Sequence, residues 1–269
     1  MKKRKALGQH YLISPDIIEK ILVAIDPSKK DFIIEIGAGK GALTFALAEK
    51  AGMVIAIEKD RTLIPILKSK ETPNLKIIDG DVLNIEFKQF IKKGQIKLVG
   101  NLPYSISSPI LFKTLEEKEL ISECFFVLQK EVAERICAKP GTKKYAPLSI
   151  LIQNHFYSRL LFSVSPESFY PSPKVDSDLI LLKKRKSPQF SVENEELFWK
   201  FLKGTFRHRR KKLSNNLKRL DFPDSSVNEA ISKCGLNEDI RPEQVFLSQF
   251  VRLFNYLYHL YSNPEKNIF

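Results

Sequence analysis

The 269 residues carry 44 Lys and Arg against 31 Asp and Glu, a net charge of +13, with 43% hydrophobic and 28% charged residues. This is the composition of a globular chain long enough for one large domain and a small one, and its cation excess favours a polyanionic partner. No stretch approaches a membrane span, the cysteines (Cys124, Cys137, Cys234) form no CxxC, and the histidines (His10, His155, His208, His259) lack metal-ligand spacing, so neither membrane nor metal is expected.

Residues 2–5 are four consecutive bases, read as a mobile arm that contacts phosphate. No apolar run of signal-peptide length follows, and a cytoplasmic location is expected. Gly8-Gln9-His10-Tyr11-Leu12 is too polar and glycine-led for a core strand. Ser14 as N-cap and Pro15 at the first helical position predict a helix. Ile17, Ile18, Ile21, Leu22 and Ile25 are its stripe, and Pro27 ends it.

Alternation then sets in. Strands are predicted at Phe32 to Ile36, Met53 to Ile57, Leu75 to Ile78, Ile96 to Gly100 and Cys124 to Leu128, with a helix from Ala42 to Lys50. Repeated βα units with apolar strands imply a parallel sheet covered on both faces. Gln129 to Ala138 and Pro147 to about Asn154 read as helices, and Phe156 to Val164 and Ser177 to Leu182 as an antiparallel pair closing the sheet. Phe169-Tyr170-Pro171-Ser172-Pro173 is a stiffened loop between them.

The composition shifts at Lys183: from there to Leu220 thirteen Lys and Arg face three acids. Lys183 to Pro188 reads as a linker, placing a large domain at 1–186 and a small helical one at 187–269. Leu202, Phe206, Leu213, Leu217 and Leu220 are spaced for one buried helix face, with Arg207, Lys211 and Lys218 outward. Arg207, Arg209, Arg210, Lys211 and Lys212 on such a helix would track phosphates, although a charge run is more often a solvated face. Later residues carry helical stripes such as Phe250, Leu253, Phe254 and Leu257.

Gly37-Ala38-Gly39-Lys40-Gly41 is neither a P-loop, lacking the Lys-Ser/Thr pair, nor the dinucleotide fingerprint, its third glycine coming one position early. It allows close backbone approach without neutralising a pyrophosphate. Glu58, at the end of the second strand, suits ribose hydroxyls, and Asp81, after the third, an adenine amino group. Ribose and adenine without phosphate point to S-adenosylmethionine. Asn101-Leu102-Pro103-Tyr104 follows the fourth strand at the edge where open α/β sheets hold ligands. Rigid carbonyls beside an aromatic plate suit an exocyclic amino group on a flat base; taken alone, a strand-end turn with a partly buried Tyr explains them equally well.

These motifs, in this order, resemble the ribosomal RNA adenine N6-dimethyltransferases. To them belong Val127-Leu128-Gln129-Lys130-Glu131-Val132-Ala133-Glu134-Arg135, Phe169 to Ser177, Arg207 to Leu213, Asn215-Asn216-Leu217 and Arg241-Pro242-Glu243. The resemblance implies a Rossmann-like S-adenosylmethionine-dependent methyltransferase sheet with a small all-helical C-terminal domain. It implies dimethylation of two adjacent adenosines near the 3′ end of small-subunit rRNA, within a pre-30S particle, by a monomer. Cofactor contacts by resemblance are His10, Leu12, Gly37, Glu58, Asp81 and Asn101. The catalytic set is Asn101, Leu102, Pro103 and Tyr104, with Phe169 as the second wall of the base pocket. His10 stands where the family usually has Asn, and Ala38 where Pro is common. Two other readings are a large-subunit methyltransferase of the erythromycin-resistance type and a non-catalytic factor that kept the fold; the acids and the glycine loop argue against the latter.

Overall fold

The computed structural model describes residues 10–91, 94–220 and 222–261. The basic arm, with Gly8 and Gln9, lies outside the described residues. The elements begin with β1 (Tyr11–Leu12), α1 (Pro15–Ile25), β2 (Phe32–Ile36), α2 (Ala42–Lys50), β3 (Met53–Glu58), α3 (Ile64–Lys68), β4 (Leu75–Asp79) and β5 (Ile96–Asn101). They continue through α4 (Ser107–Glu116), β6 (Ile121–Gln129), α5 (Lys130–Ile136), α6 (Pro147–His155), β7 (Phe156–Val164), β8 (Phe169–Tyr170) and β9 (Ser177–Lys184). Four further helices close the chain: α7 (Glu195–Thr205), α8 (Leu213–Lys218), α9 (Asp224–Lys233) and α10 (Leu247–Tyr261).

The expected starts and stops are seen. The Ser14 hydroxyl accepts from Ile17 N–H (3.4 Å) at the head of α1, and Asp26, at φ 46°, ends it by donating to Leu22 O. Apolar runs became buried strands: Ile33, Ile34, Val54, Ala56, Leu98, Phe126 and Leu128 are completely or almost completely buried. The seven-stranded sheet runs β4-β3-β2-β5-β6-β9-β7. Its first five strands are parallel, and β9 joins β6 antiparallel, from Gln129↔Ser177 to Glu123↔Lys183. The carboxyl ends of β2, β3, β4 and β5 thus share one edge. A separate ribbon pairs β1 with β8, Tyr11↔Tyr170 and Leu12↔Phe169.

Contacts divide the chain otherwise than at the expected 186/187 boundary. Residues up to Ala133 and Tyr157–Lys184 form one unit; Glu134–Phe156 and the chain from Arg185 on form the other. The reason lies in side-chain bonds within the second unit. Asn154 exchanges hydrogen bonds with the Phe190 backbone, Arg185 Nε donates to Gln153 O, and Arg209 Nη2 donates to the carbonyls of Lys143 (2.6 Å) and Tyr145 (2.9 Å). The core of this unit is aromatic: Phe198, Phe201 and Phe254 lie within 5.2–6.4 Å of one another, centroid to centroid.

One expectation is corrected here. The stripe from Leu202 to Leu220 does not lie on one helix; α7 stops at Thr205 and α8 starts at Leu213. Between them the chain turns through i→i+3 bonds, Arg207 N–H to Gly204 O and Lys211 N–H to His208 O. The buried Asn216 side chain accepts from His208 N–H and donates to the carbonyls of His208 and Lys212. It supplies the bonds a continuous helix would have made.

Candidate active site

Why the chain turns at Asn101 begins with Gly100. A Cβ there would lie 2.8 Å from Ile36 O, so only glycine lets β5 close on the end of β2. Asn101 still pairs with Val127, and Leu102 N–H donates to Val127 O (3.1 Å), setting the direction of that peptide. Pro103 (φ −56°) then starts the 3-10 turn Tyr104–Ile106, and Ser107, heading α4, donates to Pro103 O (3.2 Å).

The Asn101 amide nitrogen donates to the main-chain carbonyl of His10 at 2.7 Å. Its other end is therefore the acceptor oxygen. The Tyr104 hydroxyl shares a hydrogen bond with Ser177 Oγ (3.2 Å), and its ring lies 5.4 Å from the His10 ring, tilted by 34°. His10 Nδ1 donates to Pro171 O (2.5 Å).

The glycine loop is braced from β3. Gly39, at φ +57°, donates its N–H to Glu58 Oε2 (2.7 Å), and Asp60 N–H donates to Oε1 (2.8 Å). Glu58 is almost fully buried, yet each oxygen keeps a second lone pair for a hydroxyl. Asp81 takes Lys59 Nζ on Oδ2 (2.6 Å) and Leu83 N–H on Oδ1 (3.1 Å). The Lys59 hydrogen bond, more than the backbone one, holds its carboxyl below the usual range. Behind the loop, burial pushes the Glu35 carboxyl up to about 8, with the Glu58 charge adding to the shift. The Thr44 hydroxyl beside it pulls the other way without a well-formed hydrogen bond, and Glu35 Oε2 has no partner among the described residues.

Gly37, Gly39, Glu58, Asp81, Asn101 and Tyr104 line one open cleft at the carboxyl edge of the sheet, the place where open α/β sheets hold small ligands. His10, Leu102 and Pro103 also line it, so eight of the ten expected residues of this unit, Tyr104 included, are brought together. Its walls are rich in acceptors, and the cation among them, Lys59, is paired with Asp81. Such a surface suits hydroxyls, a base and a cationic group, not a pyrophosphate.

Leu12 and Phe169, 7% and 3% exposed, face each other across the β1–β8 ribbon and pack in the hydrophobic core. Leu12 also lines a smaller recess that shares Gly37, Gly39 and Asn101 with the cleft, whereas Phe169 lines neither. Burying two apolar side chains outweighs presenting them to a polar cleft, so Phe169 is not a second wall opposite Tyr104 in this structure. Two residues here carry no role in the sequence expectations: Lys59, for which the cation adjoining Glu58 was the available signal, and Glu35, which entered them only within its strand and the glycine motif.

In the other unit, Arg207, Arg210 and Lys211 are exposed, without an ion-pair partner among the described residues. Arg209 is bound to the carbonyls at 143 and 145 and packs near the Phe206 ring, and Lys212 pairs with Asp239. Lys218, expected outward, is half-buried and pairs with Asp224 (2.8 Å).

A family model described as ribosomal RNA adenine dimethylase matches residues 1–259. The chain is 38% identical over 260 residues to the ribosomal RNA small subunit methyltransferase A of Geobacter sulfurreducens, covering 94% of each chain. It is 39% identical to the Clostridium botulinum protein of that name, covering 96% of this chain and 95% of the other. Among solved structures it is similar to a dimethyladenosine transferase from Plasmodium falciparum (27% identity, TM-score 0.81, 93% and 98% coverage). It is also similar to the 23S rRNA methyltransferase ErmE (26% identity, TM-score 0.68, 92% and 99% coverage).

Proposed function

The chain belongs to the ribosomal RNA adenine dimethylase family, and on that footing we propose that it dimethylates N6 of two adjacent adenosines near the 3′ end of small-subunit rRNA. The methyl donor is S-adenosylmethionine, which supplies a methyl carbon made electrophilic by a sulfonium. The cleft's acceptors and its lack of a free cation fit that donor. Gly37 and Gly39 admit it closely, Glu58 offers its spare lone pairs to ribose hydroxyls, and Asp81 lies where an adenine amino group would be met.

The observation that carries the reading is the orientation of Asn101: its NH2 is engaged, and its oxygen is left at the cleft beside Tyr104. An adenine amino nitrogen is a poor nucleophile because its lone pair is delocalised into the ring. Asn101 Oδ1 and the Leu102 carbonyl accept its two hydrogens and localise that lone pair as nitrogen pyramidalises. Such acceptors are worth more in the transition state than in the ground state. The ring of Tyr104 stacks the base, which must leave its helix to arrive. After transfer the nitrogen is acidic and sheds its proton to a carbonyl or water, so no strong general base is required.

Arg207, Arg210 and Lys211 are the phosphate contacts in this reading, since Arg209 and Lys212 are otherwise employed. The protein then acts in the cytoplasm, as a monomer, on a pre-30S particle. Primer extension on under-methylated small-subunit rRNA treated with protein and donor should stop at two adjacent adenosines. Asn101→Ala should slow methylation by at least about a hundredfold with RNA binding retained. Stops in large-subunit rRNA, or undiminished activity of the variant, would refute the assignment.

A further inference from the structure

An Asn side chain has two ends of nearly equal shape, one accepting and one donating. Turned the wrong way, Asn101 would point hydrogens at the amino group it must polarise. What selects the orientation is the partner of the donating end, and that partner is a main-chain carbonyl 91 residues away in sequence. Residue 10 is held there by several bonds. Its ring Nδ1 donates to Pro171 O at 2.5 Å, Tyr11 and Leu12 pair with Tyr170 and Phe169, and Ile13 N–H donates to Ser168 O at 2.9 Å. The same ring lies against Tyr104, whose hydroxyl is tied to Ser177. Residue 10 thus meets Asn101 through its main-chain carbonyl, and Tyr104 and the loop at Pro171 through its imidazole.

We propose that His10 is a positioning residue for methyl transfer: docked on Pro171 and Tyr104, it places its own carbonyl where only the oxygen-inward orientation of Asn101 is satisfied. This rests on the reading that Asn101 receives the adenine amino group. It departs from the expectation that the His10 ring is a contact of the methyl donor, because among the described residues its Nδ1 bonds to Pro171 O. A chain whose first strand is undocked from β8 keeps its cleft but loses the selection at Asn101. Changes at His10 therefore act on the transfer rate and leave both affinities in place.

The test uses the full chain with His10→Ala, His10→Asn, Asn101→Ala and the double variant His10→Ala/Asn101→Ala. Single-turnover methylation of small-subunit rRNA is measured at saturating donor, with S-adenosylmethionine and RNA affinities by calorimetry and filter binding. His10→Ala should lower the rate about ten- to a hundredfold. Both affinities should stay within about twofold. His10→Asn, whose amide N–H can still reach the Pro171 carbonyl, should recover much of the rate and covers the case in which His10→Ala does not fold. In the Asn101→Ala background, His10→Ala should cause no further loss. Donor binding weakened about tenfold with an unchanged saturated rate would reassign His10 to the donor. Additive losses in the double variant would overturn the positioning role. Wild-type rate in Asn101→Ala alone would instead sink the reading on which the proposal stands.

Discussion

Glu35 is the residue whose chemistry is least apparent from its neighbours in the chain. It sits buried in an apolar strand, two residues before the glycine loop. A carboxyl raised to about 8 keeps its proton in the folded chain across a range where the unfolded chain, near 4.5, has lost it. Folding then takes up a proton, so stability falls as pH rises from about 4.5 to about 8. Glu35→Gln retains the shape and removes the linkage. Melting temperatures from pH 5 to 9 should diverge, with the variant gaining on the parent as pH rises; parallel curves would show that Glu35 is already ionised. Asn101 presents a different lesson. Its place at a strand end on the ligand edge was legible in the sequence, but its orientation was not, because the partner that sets it is a carbonyl contributed by distant chain.

Among the elements, the strands were the most legible, since a strand buried on both faces is an unbroken apolar run and few other structures are. The helices divide by the cleanness of their buried side. In α1 that side is Ile21, Leu22 and Ile25, a stripe visible in sequence. In α4 it includes Ser107, Lys113 and Thr114, which leave no apolar period to follow, and α3 is too short for one. The stripe between Leu202 and Leu220 misled for the opposite reason: its spacing survives a turn, because residues on either side of the break still pack inward. Asn216 replaces the missing helical bonds there, so Asn216→Ala should cost roughly 1–3 kcal/mol, the range for unsatisfied buried groups. Urea denaturation followed by tryptophan fluorescence checks this, Trp199 lying on the adjoining α7. An unchanged midpoint would mean that the turn needs no such brace.

For the molecule as a whole, a net charge of +13 was the first hint of a polyanion, but total charge does not say which cations are free. The structure sorts them: Lys59, Lys212 and Lys218 neutralise acids and Arg209 holds backbone carbonyls, leaving Arg207, Arg210 and Lys211 exposed in a single turn. Neutralising those three should weaken RNA affinity and flatten the log–log salt dependence by roughly 2, about 0.7 per lost contact to single-stranded RNA. An unaltered slope in salt-titrated binding would remove this turn from the RNA path. The same sheet that delivers the site also dictates when it can exist. Because β9 lies between β6 and β7, a nascent chain that has reached Val164 owns a strand with nowhere to dock and, on β6, a row of unanswered amides and carbonyls. Translation stalled short of Ser177 therefore leaves a sticky, catalytically silent fragment, and cells would meet it as a target for chaperones rather than as a slow enzyme.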